Sequence, residues 1–94
     1  MEALYKSRFR KFVKKQSRAF QLAIEDVVEE VMHNPSIGEA KKGELSQFHV
    51  HKFKFQGRQY LIAYKRESKA IVFYMIESHE NFYRDLKQYL REVD

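Results

Sequence analysis

The feature that most constrains this chain is a change of period. From Phe20 to Met32 a stripe of apolar residues falls at 20, 23, 24, 27, 28, 31 and 32, with Leu22 outside it, whereas from Phe48 to Ile76 they form three short runs of aromatic and β-branched residues. The first pattern predicts a helix with one buried stripe, from about Ser17 to His33. Ser17 supplies its cap, and Asn34-Pro35 stops it because the residue before proline avoids helical dihedrals. The second pattern predicts an antiparallel meander with strands at Phe48–Phe55, Tyr60–Lys65 and Ala70–Ile76. Between them, residues 35–46 hold the only proline and two of the three glycines, so they read as a loop.

The two ends add helices. Tyr5, Phe9, Phe12 and Val13 make a shorter stripe on a strongly basic helix, so the N-terminal part reads as an antiparallel helical hairpin. The acidic rear of its second helix is expected to lie beside the basic first. At the other end Phe82, Tyr83, Leu86, Tyr89, Leu90 and Val93 recur at helical spacing, predicting a helix over Glu80–Glu92 capped by Ser78 or Asn81. The expected fold class is α+β: a helical hairpin packed on an antiparallel sheet of three or four strands, closed by a C-terminal helix. Ninety-four residues at 44% hydrophobic content suit one domain over residues 1–94.

Register follows from the turns. A two-residue turn at Gly57-Arg58 sets Phe55 opposite Tyr60 and His51 opposite Tyr64, and a second at Glu67-Ser68 sets Ile62 opposite Phe73 and Tyr60 opposite Met75. One face then carries Phe53, Tyr60, Ile62, Tyr64, Phe73 and Met75 and is the expected core. The other carries Lys52, Lys54 and Lys65 among Val50, Leu61, Ala63, Val72, Tyr74 and Ile76. Lysines interleaved with apolar residues suit an anionic, stackable ligand such as single-stranded RNA better than burial.

Charge points the same way. Net charge is +5, with seven cations in residues 1–18 and eight from Lys41 to Lys69. Such blocks attract nucleic acid or acidic protein segments, though a solvated face explains many of them. With no cysteine, disulfides and thiolate metal sites are excluded. No apolar run approaches a membrane span and the N-terminus is too charged for a signal peptide, so a cytoplasmic protein without membrane contact is expected.

Lys52 and Lys54, two apart on one strand, point the same way and can hold one phosphodiester. Strand lysines also protect a sheet edge from aggregation, so the pattern has a structural reading too. Arg58 at a turn tip is a further phosphate contact, and Lys65, Arg66, Tyr74 and His79 extend the RNA-binding set. Tyr83 and Arg84 open the last helix, where Tyr83 also fits the apolar stripe. His49 and His51 form an H-x-H pair without a third ligand, so neither metal nor cofactor is expected.

The strings "NPSIGEAKKGEL", "HKFKFQGRQYLIAY" and "HENFYRDLK", in this order of elements, resemble the RelE/ParE superfamily of bacterial type II toxins, and the last resembles its ParE-like branch. The resemblance implies a toxin neutralised by a cognate antitoxin. In the RelE branch it implies cleavage of mRNA on the ribosome by strand lysines, strand arginines and a late tyrosine, roles that fall to Lys52, Lys54, Arg58, Tyr83 and Arg84. At the two positions where that branch carries arginine this chain has Leu61 and, nearby, Glu80. The ParE branch implies instead inhibition of DNA gyrase without hydrolysis, and a third outcome is an inactive relative that only binds antitoxin.

Overall fold

In the computed structural model, residues 1–92 are described. The chain runs β1 (Glu2–Tyr5), α1 (Ser7–Lys14), α2 (Arg18–His33), β2 (Glu39–Ala40), a single 3-10 turn (Gly43–Leu45), β3 (His49–Phe55), β4 (Arg58–Arg66), β5 (Ala70–Ser78) and α3 (Phe82–Glu92). The five strands form one sheet in the order β1-β5-β4-β3-β2, antiparallel except that β1 pairs parallel with β5. This is the expected α+β arrangement with two further strands, β1 and the two-residue β2. Val93, assigned above to the closing helix, lies outside the described residues.

Ser17 caps α2, its hydroxyl accepting from the Phe20 backbone N–H at 3.2 Å. The N-terminal stripe proves to be two elements: Tyr5 ends β1, and α1 starts only at Ser7. Pairing with β5 wins for residues 2–5, because Tyr5 then stacks between Phe9 and Phe73, at 5.4 and 5.5 Å. The expected ionic contact between the helices does not form. Among the described residues no acidic side chain of α2 pairs with α1, and Glu30 instead reaches His51 at 3.3 Å.

The hairpin turn lies one residue earlier than expected, at Gln56-Gly57, with both residues at positive φ (51° and 79°). Glycine is therefore the second turn residue, as in a type I′ loop, and Phe55 pairs with Arg58. Facing pairs shift by two residues, so each side chain keeps its face: Phe53 opposes Tyr60 and His51 opposes Ile62. The next pair carries a bulge. Ala63 opposes Met75 while Tyr64 opposes Phe73, leaving Tyr74 as the extra residue. As a result Met75 and Ile76 exchange the faces expected of them.

Two cores sandwich the sheet. On one side α1 and α2 bury Phe9, Phe20, Ile24 and Val31 against Ile62, Tyr64, Phe73 and Ile76, with Phe20 stacked on Phe55 at 4.5 Å. On the other, Phe82 and Leu86 of α3 cover Val50, Leu61, Ala63 and Met75, joined by Leu45 and Phe48. The face expected to stay open is therefore half closed, because α3 removes its apolar residues from water. Ser78, a candidate cap, is buried at the end of β5, and Asn81 stands before α3 and bonds Arg84 instead.

Tyr64 ties the loop after α2 to the sheet. Its buried hydroxyl donates to the Pro35 carbonyl at 2.7 Å and accepts from the Gly38 N–H at 3.0 Å. Burial holds its pKa above the ordinary tyrosine value. A Cβ on Gly38 would stand 2.6 Å from that hydroxyl. Tyr64→Phe is therefore expected to cost about 1–3 kcal/mol by orphaning both backbone groups. Gly38→Ala is expected to cost less in the Tyr64→Phe background than in the wild type, since the nearest clashing atom is gone. Denaturant unfolding of the four proteins checks this, and additive costs would refute the coupling.

Candidate nucleic-acid interface

Strand alternation directs Lys52 and Lys54 to the α3 side of the sheet, where they pair across β3 and β4 with Leu61 and Gln59. Val50, two residues earlier, is buried beneath α3, but Lys52 and Lys54 run on past the helix and are exposed. Neither makes an ion pair among the described residues. Leu61, at a position where the resemblance implied arginine, is fully buried in the α3 core. Glu77 faces Leu61 on the next strand, about 10 Å from the Lys52 backbone, and its carboxylate accepts from the Ser78 N–H at 2.9 Å.

The sequence reading missed a link between this row and α3. Glu39 pairs with Val50 at the start of β2, and its carboxylate bonds the Lys41 ammonium. That ammonium lies 4.9 Å over the Tyr83 ring. The hydrogen bond from Lys41, together with the nearby charges of Lys41 and Lys52, holds the Glu39 carboxyl below the usual carboxylate range. The same hydrogen bond, with the Tyr83 side chain adding, raises Lys41, so it stays cationic throughout the neutral range. Tyr83, Lys41, Glu39 and Lys52 thus form one continuous patch. No spacing rule signals this, since Lys41 and Tyr83 lie in a loop and a helix far apart in sequence; the only hint was the Lys41-Lys42 pair.

The remaining candidates are dispersed. His79 is exposed at the Lys54 end of the sheet, its N–H donating to the Gln59 carbonyl at 3.0 Å. Arg84 is held by Asn81 and Asp85 at 3.1 and 3.3 Å with its side chain 73% exposed. Lys65 and Tyr74 share the face of Lys52 but lie at its far end, about 13 Å along the strand. There the Lys65 ammonium sits 4.8 Å from Phe48 and 5.0 Å from Tyr74, with Lys6 on Tyr74 at 5.4 Å. Arg58 pairs with Phe55 and stacks on Tyr60 at 5.8 Å, on the helical-hairpin side. Arg66 pairs with Ile71 on that same side. The one-residue shift of the turn and the strand alternation account for both departures from the expected set. His51 faces Glu30 and His49 stacks on Tyr64. Among the described residues no three metal-ligating side chains of His, Asp or Glu come together.

A sheet with a helical hairpin on one face and a single helix on the other is the RelE fold. The structure matches isolated Escherichia coli RelE with a TM-score of 0.61 at 16% identity, over 94% of this chain and 97% of that one. It matches a chain of the intact E. coli RelBE toxin–antitoxin complex with a TM-score of 0.62 at 16% identity, over 80% of this chain and 92% of that one. At this identity the likeness is one of fold. The family of ParE-like toxins of type II bacterial toxin–antitoxin systems matches residues 4–87, and the chain belongs to it. No curated protein sequence matches.

Proposed function

We propose that this toxin arrests translation by cutting mRNA on the ribosome, with a cognate antitoxin as its partner. One observation carries the reading. Two lysines of one strand, neither in an ion pair among the described residues, project beside Glu39 and a cation held charged against an aromatic ring. Lys52 and Lys54 hold the scissile phosphodiester. The neighbouring 2′-oxygen loses its proton and forms a bond to phosphorus, while the bond to the 5′-oxygen breaks and that oxygen takes up a proton. Charge grows on the phosphoryl oxygens in this step, and fixed cations facing them lower its barrier. Lys41 adds field, Tyr83 offers the base-facing surface, and the exposed Arg84 is the guanidinium that can swing towards the phosphate. Arg58 and Arg66 take no part from the other face. Membership of a toxin–antitoxin family supports the antitoxin, and the RelE fold supports the translational target.

A second reading, gyrase inhibition without hydrolysis, is favoured by the buried Leu61, which leaves the row without a fixed guanidinium. Expression in bacteria lacking the antitoxin gene separates the two. Cleavage is expected within translated reading frames and absent from a matched transcript without its start codon. Intact transcripts, with loss of supercoiling by gyrase mixed with the purified protein, would overturn the ribosomal reading.

A further inference from the structure

Among the described residues four large apolar side chains stand exposed, and three of them, Met1, Leu4 and Tyr5, lie on β1 or next to it. β1 is also an edge of the sheet, paired on one side only, with β5. The N–H groups of Glu2 and Lys6 donate inward, to the carbonyls of Lys69 and Phe73 at 3.0 and 2.9 Å. Alternation therefore turns the N–H and C=O groups of Ala3 and Tyr5 outward, away from the sheet. Their side chains go to the helical-hairpin face, where Tyr5 stacks on Phe9. Glu2, Leu4 and Lys6 are thus on the α3 face, where Leu4 and Lys6 line a hollow of about 470 Å³ with Val72 and Tyr74. Glu2 and Lys6 are exposed, and neither makes an ion pair among the described residues.

We propose that β1 is a homodimer interface, at which two copies of this chain join antiparallel along the edge with a two-fold axis at Leu4. Two patterns coincide on that axis. Ala3 of one copy faces Tyr5 of the other, and these are the residues whose backbone groups point outward, so they exchange a pair of hydrogen bonds on each side of the axis. Glu2 faces Lys6 of the second copy, again twice, and Leu4 faces Leu4 between them, all on the α3 face. The string Glu-Ala-Leu-Tyr-Lys is in this sense its own complement when reversed. A shift of two residues sets Glu2 or Lys6 against Leu4, and parallel pairing in register brings Glu2 to Glu2. The match of both charges to the strand's own reverse favours a second copy over a strand of another protein. Four backbone hydrogen bonds and one leucine pair make a small contact, so the association is weak and concentration-dependent. It covers the open edge, joins the five strands of each copy into one sheet, and turns both Lys52–Lys54 rows to the same side of it.

Sedimentation of the purified full-length protein is expected to show dimer increasing with concentration, and monomer throughout, up to about 1 mM, would overturn the proposal. Charge variants read the register. E2K sets lysine opposite lysine and K6E sets glutamate opposite glutamate, so each is expected to self-associate at least about tenfold more weakly. Mixed together, the two are expected to form a heterodimer, since every cross-strand charge pair is then opposite in sign. E2K/K6E is expected to dimerise as the wild type does, and because it keeps the net charge of +5 its recovery cannot come from bulk charge. L4K, which brings two ammonium groups together on the axis, is expected to stay monomeric, with circular dichroism and the melting temperature showing that each variant is folded. Wild-type self-association by E2K, K6E or L4K, failure of the mixture to pair, or failure of the double variant to recover would each overturn the interface.

Discussion

Replacing Lys52 and Lys54 together with alanine is expected to abolish toxicity and to lower transcript cleavage by about a hundredfold or more. Both side chains are exposed and lie outside either core, so the melting temperature should hardly move, as for other surface changes. That combination separates loss of chemistry from loss of fold. The double arginine variant sharpens it. Arginine keeps the charge and is bound to its proton at any working pH, so restored binding without restored cleavage would show that a lysine ammonium also moves a proton. Cleavage at the wild-type rate in the alanine variant would remove these residues from the site.

The second large effect is expected at Phe82. Its ring is fully buried at the start of α3 and closes the core over Leu61, Ala63 and Met75. Phe82→Ala is expected to cost about 3–5 kcal/mol, a large share of the 5–15 kcal/mol typical of a small domain. At this size that corresponds to a fall in melting temperature of at least about 12 °C. Because Tyr83 follows directly, a loosened α3 also withdraws the ring from Lys41, so cleavage measured well below the new melting point should fall too. A variant as stable as the wild type would mean that α3 contributes little to holding the sheet.

The same two places show how far the amino-acid pattern carries. Side-chain alternation put Lys52 and Lys54 on one face and Phe53, Ile62, Tyr64 and Phe73 on the other, and this survived an error in the turn because a shift of two residues preserves parity. It failed at Met75 and Ile76, since one bulged residue inverts every face beyond it and Tyr74 carries no local mark of being that residue. The spacing marks the apolar stripe of α3 but not the surface it covers: by alternation alone Val50 and Leu61 belong to an open face, and only the fold sets Phe82 and Leu86 above them. At the site, Lys52 and Lys54 were legible because they belong to a single strand. Lys41 was not, because only the fold brings it to Tyr83. Nor does the pattern separate β1 from α1, because Tyr5 fits the helical spacing of Phe9 and Phe12 as well as it fits a strand.

That first strand also sets the order in which the molecule is completed. The β3-β4-β5 meander is joined by short turns and can form from its own stretch of chain, whereas β1 finds its partner in β5, across almost the whole sequence. Residues 2–5 are made first, yet they can join the sheet only once residues 70–73 exist to receive them. For a toxin this is a built-in delay: the sheet acquires its β1 edge only after the lysine-bearing hairpin and β5 have both been made.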